Sequence, residues 1–205
     1  MDYRAEIMSL EERNPSGCQG ALVPGIIAKG KGPKFIVFGL NPAEAKDDKE
    51  EFYGTEFYIF DPEKSETLSQ RRWSKKIADI LPVGAEIIQA EIVYWTSKDR
   101  RSLEKKIGKL DFGNTYFDLS RTINDDLLSR NSDAKCILLG FTHKDLFEKL
   151  FNLPELDTTI TGQDGKNLVY KNTRSSKFFS VRHPSAFGMS NLDKDLIKKT
   201  LADSM

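Results

Sequence analysis

The stretch Lys34-Phe35-Ile36-Val37-Phe38-Gly39 carries the strongest fold signal in this chain. Four consecutive apolar residues without alternation are typical of a strand covered on both faces, as in a parallel sheet. The polar turn Leu40-Asn41-Pro42 follows directly. We therefore predict a strand over residues 34–39 at the centre of a sheet.

Signals for helices and strands alternate along the rest of the chain. Helical spacing of apolar residues predicts helices over 65–81, 117–129, 142–151 and 192–201. β-Branched or aromatic runs predict a strand and its exit over 86–95, and strands over 135–139 and 177–182. The dipeptide Asp164-Gly165 predicts a hairpin turn. A short helix is expected over 3–13 and a long loop over 43–61. The order indicates an α/β fold, with helices on both sides of a mostly parallel sheet, in a single domain spanning 1–205.

Composition limits the classes of function. The 205 residues contain 31 Lys plus Arg and 31 Asp plus Glu, so the net charge is zero, which argues against coating nucleic acid by bulk electrostatics. Two cysteines are too few for a disulfide framework or a four-cysteine metal site, and Cys136 sits in an apolar run as a buried hydrophobe would. No signal-peptide pattern or membrane-spanning run is present, so we expect a cytoplasmic monomer that does not bind membranes.

A second polar motif, His183-Pro184-Ser185, follows the last predicted strand as Gly39-Leu40-Asn41-Pro42 follows the first. Ligands of open parallel sheets bind beyond the carboxyl ends of the strands, so the two motifs can converge on one site. Each proline restricts the backbone of the residue before it. An Asn amide can orient a water molecule, and a His can donate a hydrogen bond to a developing anion. The pair indicates a hydrolase in which the leaving group departs as an anion.

The two motifs, in this order, resemble those of the uracil-DNA glycosylase superfamily. The Asn in the first motif is similar to the mismatch-specific and single-strand-selective branches. The resemblance implies a three-layer α/β/α sandwich around a central four-stranded, mostly parallel sheet. It also implies base excision repair: the N-glycosidic bond of a flipped, deaminated or mismatched base is cleaved in single- or double-stranded DNA, without metal or organic cofactor.

The resemblance also implies roles for residues. Asn41 would position the attacking water and His183 would stabilise charge on the leaving base. Substrate-binding positions are Gly39, Leu40, Pro42, Phe52, Tyr53, Phe57, Glu91 and Ser185, where Ser185 holds a phosphate and one of the three aromatic residues stacks on the base. Phe187 or Met189 would insert into the base stack. Arg100 and Arg101 lie in the basic segment 98–109, for which DNA binding and simple solubility are both open.

Glu91 departs from the family pattern, because an Asn commonly reads the uracil edge at the end of the second strand. An ionised carboxylate only accepts hydrogen bonds, so it cannot donate to a uracil carbonyl, whereas it can accept from the ring N–H groups of xanthine or hypoxanthine. The acidic run over 44–51 would repel a DNA backbone. Two alternatives therefore stay open: an inactive nucleic-acid-binding member of the superfamily, and a hydrolase of small nucleosides or nucleotides.

Overall fold

The structure is a computed structural model that describes residues 3–18, 20, 25–40, 75–172, 175–184 and 189–203. In chain order, the helices and strands are α1 (Tyr3–Arg13), β1 (Gly25–Ala28), β2 (Lys34–Gly39), β3 (Glu86–Glu91), α2 (Arg100–Ile107), α3 (Thr115–Arg130), β4 (Lys135–Leu139), α4 (Lys144–Leu150), β5 (Thr158–Thr161), β6 (Asn167–Asn172), β7 (Ser175–Val181) and α5 (Asn191–Asp203). Residues 75–78 are also helical.

The described strands form one sheet of seven, in the order β1-β3-β2-β4-β7-β6-β5. The neighbours β3, β2, β4 and β7 pair in parallel, whereas β1 at one edge and β6 and β5 at the other add antiparallel. In β2, residues 35–38 are all buried, because helices cover both faces of the central strands. The prediction of a central parallel strand at 34–39 is confirmed.

Two hydrophobic clusters lie on opposite faces of the sheet. Ile36 and Phe38 of β2 belong to the first cluster, to which α1, α2, α3 and α4 contribute apolar residues. Phe35 and Val37 belong to the second, together with Ile77 and with apolar residues of α5. This alternation along one strand follows from the period of two in an extended chain. The described chain is thus a helix–sheet–helix arrangement, as the α/β pattern predicted.

The strand count is larger than the predicted four. Four strands do run parallel, but three antiparallel strands extend the sheet on both sides. The hairpin around Asp164-Gly165 is confirmed and supplies β5 and β6. Sequence reasoning missed β1, because the stretch 14–33 is rich in Gly and Pro and its four-residue strand has no alternation to mark it.

Local capping fixes the helices that follow the central strands. The Asp99 side chain accepts a hydrogen bond from the Ser102 backbone N–H at 2.8 Å and so begins α2. The Asn114 side chain accepts from the N–H groups of Tyr116 and Phe117 and begins α3. The basic segment 98–109 is therefore largely a capped helix, whose Leu103 and Ile107 are buried.

Candidate functional site

The carboxyl ends of the four parallel strands define the candidate site. The four parallel strands lie across the sheet in the order β3, β2, β4, β7. By their position in the chain they are the second, first, third and fourth of the parallel strands. From β2 the chain passes to β3 on one side, and from β3 it crosses back to β4 on the other side of β2, so the direction of the connections reverses between β2 and β4. Such a switch point opens a crevice beyond the strand ends, where open α/β sheets bind ligands. The described parts of the two predicted motifs, Gly39-Leu40 and His183-Pro184, lie at this edge.

At the carboxyl edge of the sheet, the ends of neighbouring parallel strands lie level with each other. Gly39 is level with Glu91 of β3, and Leu139 of β4 is level with Val181 of β7. The Gly140 N–H donates to the Val181 carbonyl at 2.7 Å, so β4 and β7 stay paired up to their ends. Adjacent strands lie about 4.8 Å apart, which separates the backbones of β3 and β7 by about 14 Å. Glu91 and His183 thus stand at opposite sides of the crevice.

The alternation of side chains along β3 directs Glu91 to the sheet face that carries the second cluster. Ile87 of β3 and Val181 of β7 both belong to the second cluster. Glu91 is four residues beyond Ile87, and it projects to that face because the period of a strand is two. A Cβ built on Gly39 would fall under 3.0 Å from the Glu91 Oε2, which confirms that the carboxyl group lies over the end of β2. A glycine at position 39 is what gives this carboxyl group its space.

Glu91 is a buried carboxyl group with few partners. Its residue is 5% exposed, and its Oε1 accepts a hydrogen bond from the Gln89 Nε2 at 3.1 Å. Neither the Glu91 Oε2 nor the Gln89 Oε1 has a hydrogen-bond partner within the described part of the chain. Burial raises the pKa of Glu91 from 4.5 to about 7, although the Gln89 hydrogen bond opposes the shift. Near neutral pH a substantial fraction of this carboxyl group is therefore in the acid form.

The backbone at Glu91 is fixed from the opposite face. The Asn124 Nδ2 of α3 donates to the Glu91 carbonyl at 2.9 Å, and the Tyr94 hydroxyl donates to the Asn124 Oδ1 at 2.7 Å. Beyond β3, the N–H groups of Ile92 and Val93 donate to the carbonyls of Gly39 and Leu40. These bonds hold the ends of β2 and β3 together. The contribution of Asn124 has no local signal in the sequence, because it depends on the packing of α3 against the sheet.

His183 directly follows the end of β7 and is half-buried. Desolvation lowers its pKa, and the positive charge of Lys76 lowers it further. The imidazole is therefore neutral at pH 7 and has one N–H to donate. Gly140, with φ of +85°, lies beneath it, since a Cβ there would be 3.8 Å from the His183 Cβ.

The hairpin between β5 and β6 anchors both ends of the segment that follows β7. Asp164 in the hairpin turn forms an ion pair, at 3.4 Å, with the buried Arg182. Arg182 is the residue before His183. Next to it, the Gln163 N–H donates to the Asp193 carboxylate at 3.4 Å, and that carboxylate also accepts from the N–H and hydroxyl of Ser190. The sequence predicted the turn but not this anchoring, which depends on contacts between distant segments.

The residues predicted to contact DNA are placed less favourably. The Arg100 guanidinium bonds the Asp145 carboxylate at 2.9 Å and Glu104 at 3.2 Å, so two carboxylates balance its charge. Arg101 is exposed on α2. Met189 packs its partly buried side chain against the second cluster, which favours a structural contribution over insertion into a base stack.

Several predicted site residues lie outside the described residues. They are Asn41, Pro42, Phe52, Tyr53, Phe57, Ser185 and Phe187. Of the expected catalytic pair Asn41 and His183, the structure therefore places His183, together with the Gly39-Leu40 end of the first motif. The half-buried Gln89 beside Glu91 was not anticipated, because a Gln in a strand has no distinctive sequence signal.

Searches of protein-family models, curated proteins and solved structures find no match to this chain. Among the described residues, no group of three or more His, Cys, Asp or Glu side chains is arranged to hold a metal ion. None of the helices in the described ranges is long and apolar enough to cross a bilayer. We therefore base the proposed function on the geometry of the crevice.

Proposed function

We propose that this chain is a glycosidase of the uracil-DNA glycosylase superfamily that hydrolyses the bond between sugar and base in DNA. The observation that carries the proposal is the position of Gly39-Leu40 and His183 at the ends of β2 and β7, on one edge of the sheet and on either side of the switch point. Asn41 directly follows Leu40 and belongs to the same motif.

In the proposed reaction, the first motif orients the attacking water and the second stabilises the leaving base. The oxygen of a water molecule oriented by Asn41 bonds to C1′ of the sugar as the C1′–N bond breaks. The electron pair of that bond leaves with the base, and the proton of the water is released to solvent or to the departing base. The neutral His183 donates its N–H to the oxygen on which the negative charge develops. Donation by a neutral imidazole requires no prior protonation, so the lowered pKa of His183 is compatible with this role.

The test is base release from oligonucleotides that contain uracil, hypoxanthine, xanthine or a thymine mismatch. We expect His183→Ala to lower the rate about 10²- to 10³-fold, the usual cost of removing one donor to a developing oxyanion. Asn41→Ala should lower it at least as much. His143, the other histidine of the chain, provides the matched control: it precedes α4, which packs on the first cluster, and His143→Ala should retain activity. Absence of release from every substrate would refute the proposal.

A hydrolase of free nucleosides or nucleotides is the second candidate, and the ion pairs of Arg100 favour it. Those pairs leave less positive charge for a DNA backbone near α2. Release of base from nucleosides, with none from oligonucleotides, would support this candidate. Binding of DNA without release from either substrate would instead indicate the inactive binding protein.

A further inference from the structure

Two buried polar atoms in the crevice lack partners, and they lie on adjacent side chains of one strand. They are the Glu91 Oε2 and the Gln89 Oε1, neither of which has a hydrogen-bond partner among the described residues. An unpartnered buried polar atom has lost its hydrogen bonds to water without compensation, so a native protein normally satisfies such atoms or uses them. Both side chains project to the sheet face that carries the second cluster.

The Gln89–Glu91 hydrogen bond fixes which groups remain available. Because the Gln89 amide nitrogen donates to the Glu91 Oε1, the proton of the carboxylic acid form belongs on Oε2. The pair then offers one O–H donor, at Glu91, and one carbonyl acceptor, at Gln89. The order of donor and acceptor along the strand is thereby set.

We propose that Glu91, as a neutral acid, and Gln89 together read the edge of a base in which a carbonyl and a ring N–H are adjacent. This inference rests on the proposed function and names its substrate class. The Glu91 O–H donates to the base carbonyl and the ring N–H donates to the Gln89 carbonyl. Uracil and hypoxanthine carry such an edge. In cytosine and adenine the acceptor is a ring nitrogen and the donor is the exocyclic amine, so the order along the edge is reversed.

The expectation from sequence treated Glu91 as an ionised acceptor and so disfavoured uracil. Its burial and the raised pKa remove that objection, because the acid form can donate. The described groups around Glu91 place little positive charge near it that would favour the carboxylate over the acid. The Tyr94 phenol interacts electrostatically with Glu91, β2 presents only the Gly39 backbone, and the helical residues Lys75 and Lys76 are exposed. Among the described residues, His183 lies at the far side of the crevice, at the end of β7.

The test is calorimetric binding of 1-methyluracil and 9-methylhypoxanthine to the full chain, with 1-methylcytosine as the reference; each is called below by the name of its base. The methyl group occupies the position of the sugar and removes the N–H there, and these compounds contain no glycosidic bond to cleave, so binding is measured independently of catalysis. With a pKa of about 7, wild-type affinity should fall about tenfold from pH 6 to pH 8 as the acid form is depleted. Both bases remain neutral in that range. Glu91→Gln keeps a donor and an acceptor and should bind uracil with little pH dependence.

Matched variants separate recognition from folding. Glu86→Gln makes the same chemical change on β3 at its amino end, where Glu86 pairs with Lys34 at 3.4 Å, and should behave as wild type. Gln89→Leu should weaken uracil binding at both pH values. No binding of uracil or hypoxanthine at pH 6, preference for cytosine, or the same pH dependence in Glu91→Gln as in wild type would each overturn the inference. If one of these outcomes is found but the protein still releases base from oligonucleotides, the inference about Glu91 and Gln89 fails and the proposed function stands. If uracil binds with the expected pH dependence but no base is released, the proposed catalysis fails and the inference about base recognition stands.

Discussion

Replacing Glu91 with Gln should stabilise the protein above neutral pH, by an amount that the burial of this carboxyl group sets. The folded-state pKa is about 7, against 4.5 for the exposed group. Between these values the folded chain keeps a proton that the unfolded chain has released, so stability falls as the pH rises through this window. Each pKa unit is worth about 1.4 kcal/mol, which gives wild type a total loss of about 3 kcal/mol.

The Gln side chain does not titrate, so this loss should be absent from the variant. Urea unfolding of both proteins from pH 4.5 to pH 8.5 measures the difference. We expect the advantage of Glu91→Gln over wild type to grow by about 3 kcal/mol across the range and to level off above pH 7. Glu86→Gln serves as the control and should show no such growth. A constant difference between Glu91→Gln and wild type would show that Glu91 is not desolvated, and the reasoning about its acid form would fail with it.

Three further predictions concern packing and local structure. Gly39→Ala should cost about 1–3 kcal/mol by overpacking against the Glu91 carboxyl group, and Glu91→Ala should relieve most of that cost in the double variant; additive effects in urea unfolding would contradict the contact. Ser190→Ala should cost about 1 kcal/mol, because the Ser190 hydroxyl accepts from the Asp193 N–H at 3.1 Å at the start of α5; an unchanged unfolding midpoint would argue against this cap. Burial raises the pKa of Cys136 to about 12, so a thiol reagent at pH 8 should modify Cys136 only after unfolding, and rapid labelling of the native chain would refute its placement in the core.

Much of the fold follows from local signals in the sequence. The unalternated run at 34–39 predicted a strand covered on both faces, and β2 occupies that range. The run at 135–139 and the Asp164-Gly165 turn were equally informative. The run at 86–95 was interpreted as a strand and its exit; β3 occupies its first part and ends at Glu91, but the run itself did not mark that end. Local composition carries no information about where pairing with a distant strand stops.

The candidate site was less accessible to sequence reasoning. Strand-end motifs indicated which residues belong to the crevice, because the carboxyl ends of parallel strands share one edge. The ionisation of Glu91 could not be predicted, since it depends on burial by residues from other parts of the chain. The charge of Arg100 is a similar case: the basic segment indicated a DNA-binding surface, but Asp145, 45 positions away, pairs with the guanidinium.

The sequence by itself determined the α/β class, the central strand and the polar residues at its end, because periodicity, turn residues and helix caps are local properties. The tertiary structure alone decided the sheet order, the three antiparallel strands and the chemical state of the crevice. Strand order and desolvation arise from contacts between segments far apart in the chain. For Glu91 the consequence is specific: the sequence supplies a carboxyl group, and burial beside Gly39 and Gln89 raises its pKa to about 7.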